Sequence, residues 1–110
     1  MNLGGMKLAL WGADLREVVL AEELLQQGAE LQAWALPPQK GLTLWDRPEL
    51  TLSGVQALIL PAQNLNRELN SQFVQQPLAL EPQLFKKLVP GTPVLAGKLG
   101  NELKQILQEF

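Results

Sequence analysis

A chain of 110 residues, 46 % apolar and 18 % charged, has room for one modest core and the composition to fold it. Nine Lys and Arg against eleven Asp and Glu leave a net charge of −2 and no basic stripe, which speaks against a nucleic-acid backbone as partner. With no Cys and no His, the chain lacks disulfides, thiol nucleophiles, Ser-His-Asp catalysis and the common zinc ligands.

Carboxylates, Lys and Arg remain as candidate acids, bases or anchors. The absence of Cys fits a cytoplasmic protein. No charged segment followed by an apolar run marks a leader, and the apolar runs fall well short of the ~20 residues of a membrane helix.

In chain order, Lys7-Leu8-Ala9-Leu10-Trp11 is a short apolar run that meets Gly12, the pattern of a strand buried on both faces. Leu15 to Gln27 follows as a helix. Asp14 stands at its N-cap and Glu17 three residues later, as in a capping box, and Gly28 closes it. Val18, Ala21 and Leu25 share one line of this helix, with Leu15 and Leu24 at the margins. Leu31 to Leu36 is a second strand, ended by Pro37-Pro38. These elements predict a β-α-β unit with parallel strands.

Leu42-Thr43-Leu44-Trp45 alternates and predicts a short edge strand, and the stretch around Arg47-Pro48-Glu49 a loop. Gln56 to Leu60 is a third core strand, stopped by Pro61. Phe73-Val74 and Leu78-Ala79-Leu80 suggest a hairpin, and Pro82 opens a helix carrying Leu84, Phe85, Leu88 and Val89. Val94-Leu95-Ala96 is a fourth core strand. In the last helix Leu99, Leu103, Ile106, Leu107 and Phe110 form one apolar stripe. The stripe still runs at Phe110, which predicts an excised domain and self-association through this helix. The whole reads as one open, doubly wound parallel α/β domain over residues 1–110, flavodoxin-like or Rossmann-like, with helices on both faces. The four core strands are expected in the order second, first, third, fourth, or an extension of it.

Ligands of such sheets lie beyond the carboxyl ends of the strands. The first candidate there is Gly12-Ala13-Asp14-Leu15-Arg16-Glu17. It has one glycine where a dinucleotide fingerprint wants three, and Asp14 would repel a pyrophosphate. Arg16 has the planar fork that clamps a carboxylate, against the plainer reading of a solvated helix residue. Gln63 and Asn64, after the third core strand, offer neutral donors and acceptors or simply a loop. Gly97 to Asn101 combines a glycine with Lys98; a strand-to-helix turn that needs glycine explains it as well. Trp11, Trp34 and Trp45 are expected in core packing.

These segments resemble the N-terminal domain of the dipicolinate synthase A subunit. That family begins with a strand, a turn of the form Gly-Gly-Asp-x-Arg-Gln/Glu and a helix ending Gly-Ala. Here the run is Trp11-Gly12-Ala13-Asp14-Leu15-Arg16-Glu17, with Gly28-Ala29 at the helix end. A strand ending Ile-Leu-Pro matches Leu58-Ile59-Leu60-Pro61, and a later glycine before a helix matches Gly97 through Asn101 and Leu103. Ala13 replaces the second glycine of the turn, and Gln39 to Gly54 show no resemblance. The resemblance implies substrate-binding residues Gly12, Arg16, Gln63, Asn64, Gly97 and Asn101. It implies a small dicarboxylate substrate and a second, Rossmann domain that binds NADP or NAD, with no cofactor on this chain. It further implies the flavoprotein-like dipicolinate synthase B subunit as partner. Together the two oxidise a dihydrodipicolinate-type precursor to dipicolinate during sporulation. The chain alone is then not a complete enzyme. The competing reading, from the residues alone, is a stand-alone α/β binding or interaction module without chemistry.

Overall fold

The computed structural model describes residues 3–65, 67–96 and 98–99, the backbone alone at 64, 98 and 99. β1 is Lys7–Trp11, and four of its five residues are buried, as expected for a strand covered on both faces. α1, Leu15–Gln26, begins with the anticipated capping box. Its end is a Schellman motif: the Ala29 N–H donates to Leu24 O at 3.1 Å and the Gly28 N–H to Leu25 O at 3.0 Å. Gly28 has φ +94°, a conformation that L side chains rarely adopt. Ala21 is fully buried under the helix; Leu15, expected at the margin, is 67 % exposed.

β2 is Glu30–Trp34, two residues shorter than Leu31–Leu36 at its end. The strand stops because Ala35 turns into the left-handed region at φ 62°. Residues 35–41 then return without a helix. Gln39 Nε2 donates to Val18 O at 3.3 Å, which fastens this crossover to α1. β3, Leu42–Trp45, pairs parallel with β2. Pro48–Leu52 forms a 3-10 turn where a loop was expected. Thr51 Oγ1 accepts from Trp11 Nε1 at 2.8 Å, so the buried indole N–H is satisfied. β4 is Ala57–Ile59.

The next segment departs most from the sequence pattern. The two-residue strands are β5, Asn64–Leu65, β6, Glu68–Leu69, and β7, Leu78–Ala79. β6, not Phe73-Val74, is the antiparallel partner of β7. Phe73 and Val74 instead sit in the connecting loop and pack against opposite core clusters. The predicted helix at Pro82 is a single 3-10 turn, Pro82–Phe85. Leu88 N–H donates to Phe85 O, so the turns continue at i+3 spacing. Phe85 and Leu88 are buried but Val89 is 66 % exposed. Pro90-Gly91 leaves too few residues to extend a helix past its costly nucleus. β8 is Val94–Leu95, and β9, Lys98–Leu99, pairs with β5. Leu99, expected on the last helix, lies instead in β9, and the rest of that helix lies outside the described residues.

The five-stranded sheet is parallel throughout, in the order β3-β2-β1-β4-β8. This is the expected order of core strands, extended by β3 at one edge. α1 covers one face, over Leu8, Leu10, Leu31, Ala33 and Leu36. Among the described residues, the other face is covered by the 3-10 turns and the β6–β7 hairpin. There Trp11 stacks on Phe85 with ring centroids 5.7 Å apart and meets Trp34 edge-on at 6.1 Å. The fold is an open, doubly wound α/β sheet of the Rossmann-like class.

Candidate functional site

The strand order reverses at β1, which has β2 on one side and β4 on the other. The crevice beyond the carboxyl ends of β1 and β4 is therefore where a sheet of this kind holds a ligand. Glu17 occupies it. The residue is 2 % exposed. Its Oε1 accepts from the Ala13 N–H at 2.8 Å and the Asp14 N–H at 3.0 Å. Its Oε2 accepts from the Ala62 N–H at 3.1 Å. One carboxylate thus closes the capping box and also ties the turn after β1 to the turn after β4. Sequence reasoning found the first role, because N-cap Asp and N3 Glu are a local signal. It missed the second, because the partner is a backbone amide with no residue signature.

Asp14 has two tasks as well. Its Oδ1 accepts from the Arg16 N–H at 2.9 Å and from Arg16 Nε at 3.0 Å, and Oδ2 accepts from Arg16 Nη2 at 2.8 Å. The fork of Arg16 is therefore engaged along one side by its own cap residue. The Arg16 side chain remains 58 % exposed, and its Nη1 edge has no partner among the described residues. These bonds from the Arg16 side chain and amide lower the Asp14 pKa to about 2 from its ordinary 3.8. A depressed carboxylate stabilises the fold above its unfolded pKa and ceases to do so once protonated. The contribution of Asp14 is expected to be complete above about pH 4 and to be lost as pH falls towards 2. Asp14→Asn, which keeps a capping oxygen, should flatten that part of a urea-midpoint profile taken against pH. An unchanged acid limb in the variant would show that other carboxylates carry it.

Gly12 lies at the floor of the turn, and its N–H donates to Trp34 O at 2.9 Å. A Cβ on it would lie 2.3 Å from Ala35 O and 2.4 Å from Leu36 Cδ2. The close approach that requires glycine here is to the neighbouring strand's own continuation. Gln63 Nε2 donates to Asn70 O at 3.1 Å, bracing the loop at 70–77. The Gln72 N–H donates to Ala13 O at 2.8 Å and ties that loop to the first turn. The loop encloses a shallow pocket of about 340 Å³ lined by Asn70, Ser71, Gln72, Gln75 and their neighbours. Neither Gln72 nor this pocket was anticipated; the polar run carries no periodic signal. Asn64 is the register partner of Lys98, which brings the second and third candidate segments together at the backbone level. Gly97 and Asn101 lie outside the described residues.

The turn has one glycine, packed against Leu36, and the Ala13 and Asp14 amides that would face a pyrophosphate already bond Glu17. A family model for the N-terminal domain of the dipicolinate synthase A subunit matches residues 7–110. The chain belongs to this family. No curated protein matches it. Among solved structures, the dipicolinate synthase A subunit from Bacillus halodurans is similar with TM-score 0.86 at 19 % identity, covering 99 % of this chain and 39 % of that one. The dipicolinate synthase A chain from Bacillus subtilis is similar with TM-score 0.81 at 18 % identity, covering 98 % and 38 %. At such identities the likeness establishes the fold. This member of the dipicolinate synthase A family spans well under half the length of either solved chain.

Proposed function

We propose that this domain is the substrate-side part of an oxidoreductase subunit that forms dipicolinate from a dihydrodipicolinate-type precursor in sporulating cells. The observation that carries the reading, beside family membership, is the Glu17 tie. In a nucleotide-binding domain the amides at the switch point receive a phosphate. Here a side chain of the protein receives them, which supports a domain that faces a cofactor held elsewhere. In this reading a second domain binds the nicotinamide cofactor, NAD or NADP, and supplies the hydride chemistry. The flavoprotein-like B subunit completes the enzyme.

Within this reading Arg16 binds one carboxylate of the dicarboxylate substrate through its free Nη1 edge. Asp14 holds the guanidinium in place, so the charge of the pair stays oriented. Gly12 sets the depth of the turn. Gln63, Asn64 and the Gly97–Asn101 segment contribute neutral partners along the same edge. The N-terminus of α1 adds positive potential, reduced by the carboxylates of Asp14 and Glu17.

The test uses the full-length protein that contains this domain. Arg16→Lys keeps the charge and loses the planar fork, and is expected to lower kcat/KM for the precursor by about tenfold or more. The KM for the nicotinamide cofactor and the urea midpoint should hold. Normal turnover in the variant would remove Arg16 from the site. Calorimetry on the 110-residue chain should detect no binding of NAD(H) or NADP(H). A Kd of about 10 µM or tighter, roughly −7 kcal/mol, would overturn the assignment to the substrate side.

A further inference from the structure

On the basis of the substrate-side reading, we propose that residues 70–77 form a strap across the carboxyl end of β1, and that the pocket inside it takes the second carboxylate of the substrate whose first carboxylate Arg16 holds. Phe73 packs against the core cluster under α1. Val74, the next residue, packs against the cluster on the opposite face of the sheet. Two neighbours can serve both faces only where the chain crosses the rim of the sheet. Two bonds fix which rim. The Gln72 N–H donates to Ala13 O at 2.8 Å, in the turn after β1. Gln63 Nε2, in the turn after β4, donates to Asn70 O at 3.1 Å. The β6–β7 hairpin holds the two ends of the strap, with Leu69 opposite Leu78. The strap therefore lies along the crevice where the strand order reverses, the place at which such a sheet holds its ligand.

Gln72 joins the pocket to the turn that carries Arg16. Its backbone is bonded to Ala13, and the residue lines the pocket. Asp14, next in the turn, holds the Arg16 fork. The two binding groups thus flank one dipeptide, Ala13-Asp14. The pocket volume, about 340 Å³, falls in the range of small-molecule sites. Asn70, Ser71, Gln72, Gln75 and Gln76 line it with neutral amides and a hydroxyl, and no lining residue is ionisable. The amide side chains of these four Asn and Gln residues make no hydrogen bond with any other described residue. Ser71 Oγ accepts from the Phe73 N–H at 3.2 Å, which leaves its own O–H to donate. A carboxylate needs donors only, and each amide offers two N–H groups. Neutral donors alone hold an anion weakly. For a ligand already anchored on Arg16 the second contact is intramolecular, so modest donors suffice to tell a dicarboxylate from a monocarboxylate.

The test is equilibrium binding to the full-length protein that contains this domain, with two probes: dipicolinate, and picolinate, which has the same ring and one carboxylate. The unmodified protein should bind the diacid at least about tenfold tighter than the monoacid. Gln72→Ala combined with Gln75→Ala removes two side-chain amides and keeps the backbone bond to Ala13. It should erase most of the preference for the diacid and leave the affinity for picolinate as it was. Arg16→Lys should weaken both acids and preserve their ratio. Gln72 and Gln75 are exposed, so an unchanged urea midpoint verifies that the double variant keeps its fold. The pocket assignment falls if the double variant retains the preference, if it loses affinity equally for both acids, or if the unmodified protein binds the two acids alike. In each of these cases Arg16→Lys still reports separately on the substrate-side reading. If the unmodified protein binds neither acid, that reading and the pocket fall together.

Discussion

Glu17→Ala should cost about 3–5 kcal/mol of stability, an unusually large loss for a residue one turn into a helix. The substitution leaves three amide donors without their acceptor: those of Ala13, Asp14 and Ala62. A donor left unpaired away from water costs about 1–3 kcal/mol, and bonds to a charged acceptor lie at the strong end. The Ala62 amide is only partly buried, so water recovers some of its share. Glu17→Gln keeps an oxygen for Ala13 and Asp14 but turns an N–H₂ towards the Ala62 N–H, and should lose about 1–2 kcal/mol. Urea unfolding followed by tryptophan fluorescence measures both. A loss below about 1 kcal/mol for the alanine variant would show that water serves these amides and that the tie is dispensable.

The second large effect is expected at Gly12. Gly12→Ala places a methyl group 2.3 Å from Ala35 O and 2.4 Å from Leu36 Cδ2. Leu36 has rotamers to yield, but Ala35 O belongs to a backbone pinned between a strand end and two prolines. Overpacking against backbone should cost at least about 3 kcal/mol or prevent folding. Adding Leu36→Ala removes the softer obstacle and should restore none of the loss, because the carbonyl remains. If the double variant is more stable than Gly12→Ala alone, the side chain and not the backbone sets the requirement for glycine.

How much of this was legible follows from the reach of each interaction. β1 and β4 stood out because a largely buried strand is an apolar run between breakers, and β2 did so despite Gln32; β8 shows the same short run although, at the sheet edge, it leaves Leu95 exposed. The α1 caps were legible because their bonds span only a few residues. β3 showed as an edge strand through its alternation. Leu15 was misplaced because period alone does not fix which way a helix rolls; the bond from Gln39 Nε2 to Val18 O and the Glu17 tie set the roll. Residues 63–90 were hardest. Two-residue strands show no period, and the spacing of Leu84, Phe85 and Leu88 suits a chain of i+3 turns as well as an α-helix. At the site, Asp14 and Glu17 were placed by local rules, but the bond from Glu17 to Ala62 spans 45 residues and ends on an amide. Gly12 was marked as the turn after the first strand and as a substrate-binding residue; that Ala35 O leaves no room for a side chain there needed the neighbouring strand in place.

The helix-free return at 35–41 has a consequence for the order of assembly. It lets β1, α1, β2 and β3 form from one continuous stretch, residues 7–45, in which every pairing joins neighbours along the chain. β8, by contrast, meets β4 only after a long excursion of mostly short elements has been closed. Closing a longer loop costs more entropy, and distant pairings come later. The first half is therefore the early, local part of the fold, and the joints that bring in β4 and β8 the late ones: Leu8 pairs with Ala57, 49 residues on, and Leu58 with Val94, 36 residues on. The crevice between β1 and β4 lies on that seam. Its two walls belong to different stages of folding, and Glu17 is the stitch between them. In local opening, measured by amide exchange, the Ala62 side of the stitch should exchange ahead of the Ala13 side. A ligand that bridges the walls would then act first on this seam, holding shut the part of the sheet that closes last.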